Sequence, residues 1–325
     1  MTYLVTGAAG FIGYHVALAL LQRGDEVVGV DNLNNYYSVQ LKSDRLAELE
    51  KHNGFRFHKV ELADQVALRE ALKPYTIRRV IHLAAQAGVR HSIENPGSYI
   101  NSNLIGHFNI LEHCRHLDSL DHLVYASTSS VYGEAAKIPS KETDRVDAPI
   151  SLYAATKKCD ELMSYSYSHL YRIPQTGLRF FTVYGPWGRP DMALWLFTDA
   201  ILSGRPINVF NFGKMRRDFT YIDDLIPALL ATADKLPKVT EGEVPHRIYN
   251  IGGDHTENLM DLIGVLERTL GMKAELNLLP RQAGDIAETG ADVGAIRQDI
   301  GYEPVTRIET GVSHFVDWYK RYHGL

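Results

Sequence analysis

The most restrictive stretch of this chain is its opening. Gly7, Gly10 and Gly13 stand three residues apart between an apolar run, Tyr3 to Thr6, and a segment of helical periodicity, Ile12 to Arg23, that stops at Gly24. A strand that turns through glycines straight into a helix leaves no bulk over the first helical turn. The amides there and the positive end of the helix dipole suit a pyrophosphate. Val27-Val28-Gly29-Val30 reads as a second buried strand and ends at Asp31. A carboxylate at that point accepts from both hydroxyls of a ribose and repels a 2′-phosphate, so the pattern favours NAD over NADP. By itself a glycine triplet is also a tight turn; strand, helix and acid in register carry the reading.

Further apolar runs, Val80 to Ala84, Leu123 to Ser127 and Gly177 to Phe181, alternate with helical stretches. The economical fold is α/β, a doubly wound parallel sheet of Rossmann type covered on both faces. After Gly185-Pro186-Trp187-Gly188-Arg189-Pro190 the segments become shorter and more varied, as in a smaller substrate-binding lobe. The expected division is a dinucleotide-binding domain over 1–183, with a segment returning near 217–252, and a C-terminal α/β lobe over 184–216 and 253–325. Ile248 to Ile251 is the candidate returning strand, and the polar stretch Lys238 to His246 reads as a surface loop.

With 325 residues, 45% of them hydrophobic, the chain buries a full core. A net charge of −5 argues against a nucleic-acid surface, so an anionic ligand has to be held locally. Cys114 and Cys159 offer neither a metal spacing nor a disulfide framework and read as buried thiols in a reducing compartment. No apolar run approaches the ~20 residues of a membrane span, and Met1 leads directly into a strand, which together point to a cytoplasmic protein. The 14 histidines form no ligand cluster, so no metal is assigned.

The chemistry sits mid-chain. Tyr153 and Lys157 are four apart, which on a helix puts them on one face. An ammonium near a phenol favours the phenolate, as a general base for a sugar hydroxyl requires. The spacing also arises by chance on ordinary helices. Glu61-Leu62 follows a third apolar segment and is either an adenine contact or a solvated loop. Leu83-Ala84-Ala85 supplies small residues at a strand end, for cofactor approach or for core packing.

Taken together these motifs resemble the extended short-chain dehydrogenase/reductase family of NAD-dependent epimerases and dehydratases. The pieces are Gly7-x-x-Gly10-x-x-Gly13, Asp31, His82-Leu83-Ala84-Ala85, Ser127-Thr128-Ser129-Ser130-Val131-Tyr132-Gly133, Tyr153-x-x-x-Lys157 and Arg217-Asp218-Phe219. Within the family the chain is most similar to UDP-glucuronate 4-epimerases, through Asn34-Asn35-Tyr36-Tyr37 with Leu41-Lys42 and Arg45, Ala87-Gly88-Val89-Arg90, and the run from Arg179 to Met192. Residue types alone give the Asn-Tyr-Tyr segment no role.

The resemblance implies NAD held by Gly7, Gly10, Phe11, Ile12, Gly13, Asp31, Asn32, Glu61, Leu62, Leu83, Ala84, Ala85, Phe180, Tyr153 and Lys157. It implies that Tyr153 takes the proton of the sugar 4-hydroxyl, that Thr128 bonds the same hydroxyl, and that Lys157 also holds the nicotinamide ribose. Arg90, Ser129, Ser130, Val209 and Phe210 fall at substrate-binding positions, Arg217 at the diphosphate and Asp285 at the nucleotide ribose. A UDP-sugar substrate and a homodimer through Tyr99–Cys114 and Tyr153–Leu170 are further expectations. Related dehydratases carry Asp-Glu where this chain has Ser129-Ser130, related decarboxylases carry Glu at the Ser130 position, and UDP-galactose 4-epimerases carry Asn at the Thr182 position. The resemblance assigns Thr182 and Arg189 to a substrate carboxylate, which an arginine can grip bidentately. The alternatives by residue type are a surface arginine in a Pro-Gly loop for Arg189, a strand threonine for Thr182, and surface ion-pair members for Arg217 and Asp285.

Overall fold

The structure is a computed structural model that describes residues 1–134, 137–237 and 242–325. Its strands are β1 (Thr2–Thr6), β2 (Glu26–Asp31), β3 (Phe55–Lys59), β4 (Arg79–His82), β5 (His122–Thr128), β6 (Gln175–Phe180), β7 (Thr182–Tyr184), β8 (Ile207–Val209), β9 (Arg216–Arg217), β10 (Phe219–Tyr221), β11 (His246–Ile251), β12 (Glu257–Asn258) and β13 (Leu276–Leu278). Its helices are α1 (Phe11–Gln22), α2 (Val39–Glu50), α3 (Gln65–Leu72), α4 (His91–Glu94), α5 (Pro96–Tyr99), α6 (Gly106–Arg115), α7 (Leu152–Tyr171), α8 (Ala193–Leu202), α9 (Ile222–Asp234), α10 (Leu259–Leu270), α11 (Gly294–Ile300) and α12 (Ile308–His323).

A seven-stranded sheet in the order β11-β6-β5-β4-β1-β2-β3 forms the frame. The pairs β1–β2, β1–β4, β2–β3 and β4–β5 are all parallel. Strand order reverses direction between β1 and β4, the place where doubly wound sheets open a crevice beyond the carboxyl ends of the strands. The sheet strands read as continuous apolar runs because helices bury both faces. Leu4, Val28, Val30, Val80 and Leu123 share one core with Leu68 and Leu72 of α3 and with Ile110, Leu111 and Cys114 of α6.

The chain divides into two compact units. The first comprises Met1–Gly133, Arg145–Arg179 and Ile226–Tyr249; the second comprises Glu134–Asp144, Phe180–Leu225 and Asn250–Leu325. The division differs from the sequence-based boundaries at four places: the main run of the first unit closes at Arg179 rather than 183, its returning segment ends at Tyr249 rather than 252, and two larger shifts follow. Residues 134–144 cluster with the second unit, because Ser140 bridges Ala291 and Asn250 donates to the Ser140 carbonyl at 2.8 Å. The return to the first unit starts at Ile226, within α9, rather than near 217. Of the loop expected over 238–246, residues 238–241 lie outside the described residues, and His246 opens β11 instead.

In the second unit short strands pair two by two, β7 with β10, β8 with β13 and β9 with β12. Asp218, between β9 and β10, ties them together: fully buried, its carboxylate accepts from the Gly253 amide at 2.5 Å and the Ala291 amide at 3.0 Å. Burial pushes this acid up to about 6 against the pull of those two amides. The buried face of α12, with Val312, Phe315 and Val316, follows helical spacing. The thiols differ from expectation: Cys114 is buried, whereas Cys159 is exposed, since it lies on the outer side of α7.

Candidate active site

The glycine turn is shaped by backbone packing against backbone. Gly7 has φ +72°, and a Cβ there would stand 2.9 Å from the Ala84 amide nitrogen. A Cβ on Gly13 would stand 2.0 Å from the Gly7 carbonyl oxygen, so α1 starts hard against the turn. What meets Gly7 is the backbone of Leu83 and Ala84, so the approach demands a glycine at position 7, and the Ala84 amide also donates to the Thr6 hydroxyl at 3.2 Å. No side chain caps α1 at Gly10. An uncapped helix start behind an unbulky turn is the cradle that a diphosphate fills.

At the end of β2 the Asp31 carboxylate accepts from the Leu33 amide at 2.8 Å and the Ala9 amide at 3.2 Å. Burial raises its pKa on balance, opposed by the Leu33 amide, Lys42, the Ala9 amide and Arg45. The structure supplies the role that residue types withheld from the Asn34–Arg45 stretch. Lys42 Nζ donates to the Asn34 carbonyl at 2.7 Å and to its side-chain oxygen at 2.8 Å, and lies 4.6 Å from the centre of the Tyr37 ring. Arg45, fully buried, donates to the Tyr37 hydroxyl at 2.8 Å and to the Ala9 carbonyl at 2.9 Å. Two cations thus brace the loop that presents Asp31. Asn32 donates to Glu61 at 2.7 Å, and Glu61 also caps the Ala63 amide at 3.3 Å. Leu62 is buried in the core. These residues fit an adenine ribose beside a carboxylate, with the small loop residues under the diphosphate.

Thr128 ends β5. Its hydroxyl accepts from the Ser130 amide at 3.2 Å and donates to the Ser130 hydroxyl at 3.3 Å, so Ser129 and Ser130 open a tight turn over it. Ser151 caps α7 by accepting from Ala154 N at 3.1 Å, which sets Tyr153 in the first turn, half-buried and 6.1 Å edge-on from Tyr99. One turn further on, Lys157 is buried and its ammonium donates to Asp160 at 2.9 Å. Sequence reasoning missed Asp160; its i, i+3 spacing from Lys157 was the available signal. It missed Glu161 as well, the buried centre of the next layer. Glu161 accepts from Arg179 at 2.8 and 2.9 Å and from Ser127 at 2.7 Å, while Arg179 donates to the Tyr132 hydroxyl at 3.0 Å. Burial acts to raise Glu161, but the combined pull of Arg179, the Ser127 hydroxyl and Lys158 leaves the acid lowered.

The remaining candidates, apart from Arg90 of the first unit, lie in the second unit. Thr182 starts β7, half-buried, and its amide donates to the Asp218 carbonyl at 3.1 Å. Arg189 forms a bidentate pair with Asp191 at 3.0 and 2.5 Å, the geometry a carboxylate ligand would require, met here by the chain's own acid. Arg217 is half-buried and donates to the Arg216 and Ala287 carbonyls, each at 3.0 Å. Burial lowers its pKa, with Asp285 opposing. Val209 is buried at the end of β8, and its carbonyl accepts from Leu279 N at 2.9 Å; Phe210 follows it. Phe180 is buried at the end of β6, and Arg90, before α4, is exposed.

Sheet order, switch point and cradle define a dinucleotide-binding α/β protein with a tyrosine–lysine helix. The chain belongs to the NAD dependent epimerase/dehydratase family, whose model matches residues 3–252. It is 52% identical to an uncharacterised 37.6 kDa protein of Escherichia coli O111:H-, covering 99% of each chain. It is 46% identical to a probable UDP-glucuronate 4-epimerase of Rhizobium meliloti, over 98% of this chain and 97% of that one. A UDP-glucuronic acid 4-epimerase of Bacillus cereus, solved with UDP-glucuronic acid and NAD, superposes with a TM-score of 0.90 at 34% identity, over 99% of this chain and 100% of that one.

The Glu161–Arg179 pair holds the Ser127 hydroxyl, one residue before Thr128. Glu161→Ala should lower stability by about 3–5 kcal/mol, because it leaves a buried guanidinium uncompensated. The midpoint of urea unfolding measures this, and an unchanged midpoint would contradict the pair's place in the core.

Proposed function

We propose that the protein interconverts UDP-glucuronate and UDP-galacturonate by epimerisation at C4, with NAD as its resident cofactor. The carrying observation is that the Tyr153–Lys157 helix and a diphosphate cradle occur together in one unit of a chain matched from end to end by a UDP-glucuronic acid 4-epimerase. The amides of Gly7, Gly10, Phe11, Ile12 and Gly13 would take the NAD diphosphate. Asp31 and Asn32 would take the adenine ribose, Glu61 and Leu62 the adenine, and Leu83, Ala84, Ala85, Phe180 and Lys157 the nicotinamide half. Bound NAD supplies reversible acceptance of a hydride from the sugar C4.

In this reading the chain's own residues handle the proton and the pose. Tyr153 Oη removes the 4-hydroxyl proton and later returns it, aided by the Lys157 ammonium. The Thr128 hydroxyl bonds the same oxygen and shortens the proton path. Ser129 and Ser130, beside Thr128, offer neither acid nor base for elimination. While C4 is a ketone, the substrate is a β-keto acid that loses CO2 when its carboxylate bond stands perpendicular to the carbonyl plane. Thr182 and Arg189 hold the carboxylate out of that orientation, the substrate taking the place of Asp191 on the guanidinium. Arg217 takes the diphosphate, Asp285 the nucleotide ribose, Val209 and Phe210 the base, and Arg90 the sugar side.

The two free thiols suit a reducing, cytoplasmic compartment. No helix among the described residues is long and apolar enough to cross a membrane. Ile105 and Phe108, in and just before α6, and Leu162, Tyr165 and Leu170 of α7 are exposed apolar groups, and we propose that they pair two copies of the chain. Sedimentation equilibrium should give twice the 36.5 kDa chain mass; a monomer at micromolar concentration would remove that assembly.

Incubation with UDP-glucuronate, followed by NMR, should yield UDP-galacturonate; its absence would remove the proposed reaction. Tyr153→Phe should reduce turnover by about 10²–10⁴-fold, the usual weight of a general base, while NAD stays bound. Arg189→Ala should raise KM and release CO2; unchanged KM with no CO2 would rule out the carboxylate clamp.

A further inference from the structure

We propose that Asp160 is a positioning residue for the catalytic centre: it anchors the Lys157 ammonium. The proposal rests on the role assigned to Lys157 above. Lys157 is 2% exposed and Asp160 is 0% exposed, and their 2.9 Å contact is the ammonium's ion pair. An ammonium has three donors. With one spent on Asp160, two remain for a phenol oxygen and a ribose hydroxyl, and the side chain is fixed in one orientation. The second carboxylate oxygen of Asp160 is buried without a hydrogen-bond partner. The carboxylate is thus held by little besides the ammonium.

The groups that face this pair leave Asp160 as its charge partner. On α7 itself Glu161 is matched by Arg179 of β6. Burial drives His107 of α6 down to about 3 and His82 of β4 well below its ordinary value, so both rings are neutral in the working range. Burial also holds the phenol of Tyr125 on β5 far above its ordinary range. Asp160 is pushed up to about 6 by burial, which outweighs the pull of Lys157. Above that pH the anchor is an ion pair; below it, a neutral acid faces an uncompensated ammonium, and the hold on Lys157 weakens.

The sign for stability follows. A carboxyl whose folded value exceeds its unfolded value of 3.8 binds its proton more tightly when folded, so its stabilising contribution fades as pH rises from about 4 through about 6. Asp160→Asn removes that dependence.

The test compares wild type with Asp160→Asn. Turnover of UDP-glucuronate by wild type should show an inflection near pH 6, while the variant should be roughly tenfold slower at about pH 8 and lack that inflection. Independently of activity, the melting temperature of the variant relative to wild type should climb between about pH 4 and about pH 7. A variant that keeps the inflection, or a melting difference that does not change with pH, would overturn the proposal. If Asp160→Asn does not fold, Lys157→Met serves: its melting temperature should drop more steeply than wild type as pH rises, and parallel curves would overturn the proposal. Wild type with no turnover at any pH would remove the proposed reaction instead, leaving the melting experiments to decide on Asp160.

Discussion

The first unit is organised around one place where main chain meets main chain. Gly13 approaches the Gly7 carbonyl, and Gly7 approaches the Ala84 amide, more closely than any Cβ permits. That approach seats α1 on β1 and sets the end of β4 beside the turn. It also brings the Ala9 amide to Asp31 and the Ala9 carbonyl to Arg45. Moving the turn by the width of a methyl group would break the hydrogen bonds that present the acid. Cofactor cradle and sheet switch point are thus one piece of packing.

Around that frame the unit buries charge in matched groups. Asp31 is flanked by Lys42 and Arg45, Lys157 meets Asp160, and Glu161 meets Arg179. A buried pair of this kind contributes little net stability over an apolar replacement, yet removing one member is costly. Its effect is therefore to fix geometry. Glu161 holds Ser127, the neighbour of Thr128, and Asp160 holds Lys157. Under the proposed reaction, both sides of the proton-transfer site then rest on carboxylates of one helix, α7, spaced one residue apart.

The second unit poses a different physical problem. Retaining a carboxylate beside a ketone requires restraint of a rotor, and the residues proposed for it are a strand threonine and a loop arginine. In the structure the arginine grips Asp191, so the guanidinium is already held in the plane a carboxylate needs. Preorganisation of this kind lowers the entropy lost when a ligand carboxylate takes over.

Much of this was written in short-range pattern. The glycine spacing, the acid closing β2, the i, i+4 tyrosine and lysine and the apolar strands follow from local geometry and periodicity, and they determined fold class and cofactor chemistry. The roles of Lys42, Arg45, Asp160 and Glu161 were not legible, since each depends on burial and on partners that are distant in sequence or lie on a helix face whose orientation the pattern leaves open. Cys159, read as buried, is exposed for the same reason: position on a helix does not say which side faces the sheet. The sequence by itself determined which chemistry the chain can carry. Only the tertiary structure decided which charges hold that chemistry in place, because a charge acquires its partner and its dielectric surroundings only when the chain has closed around it.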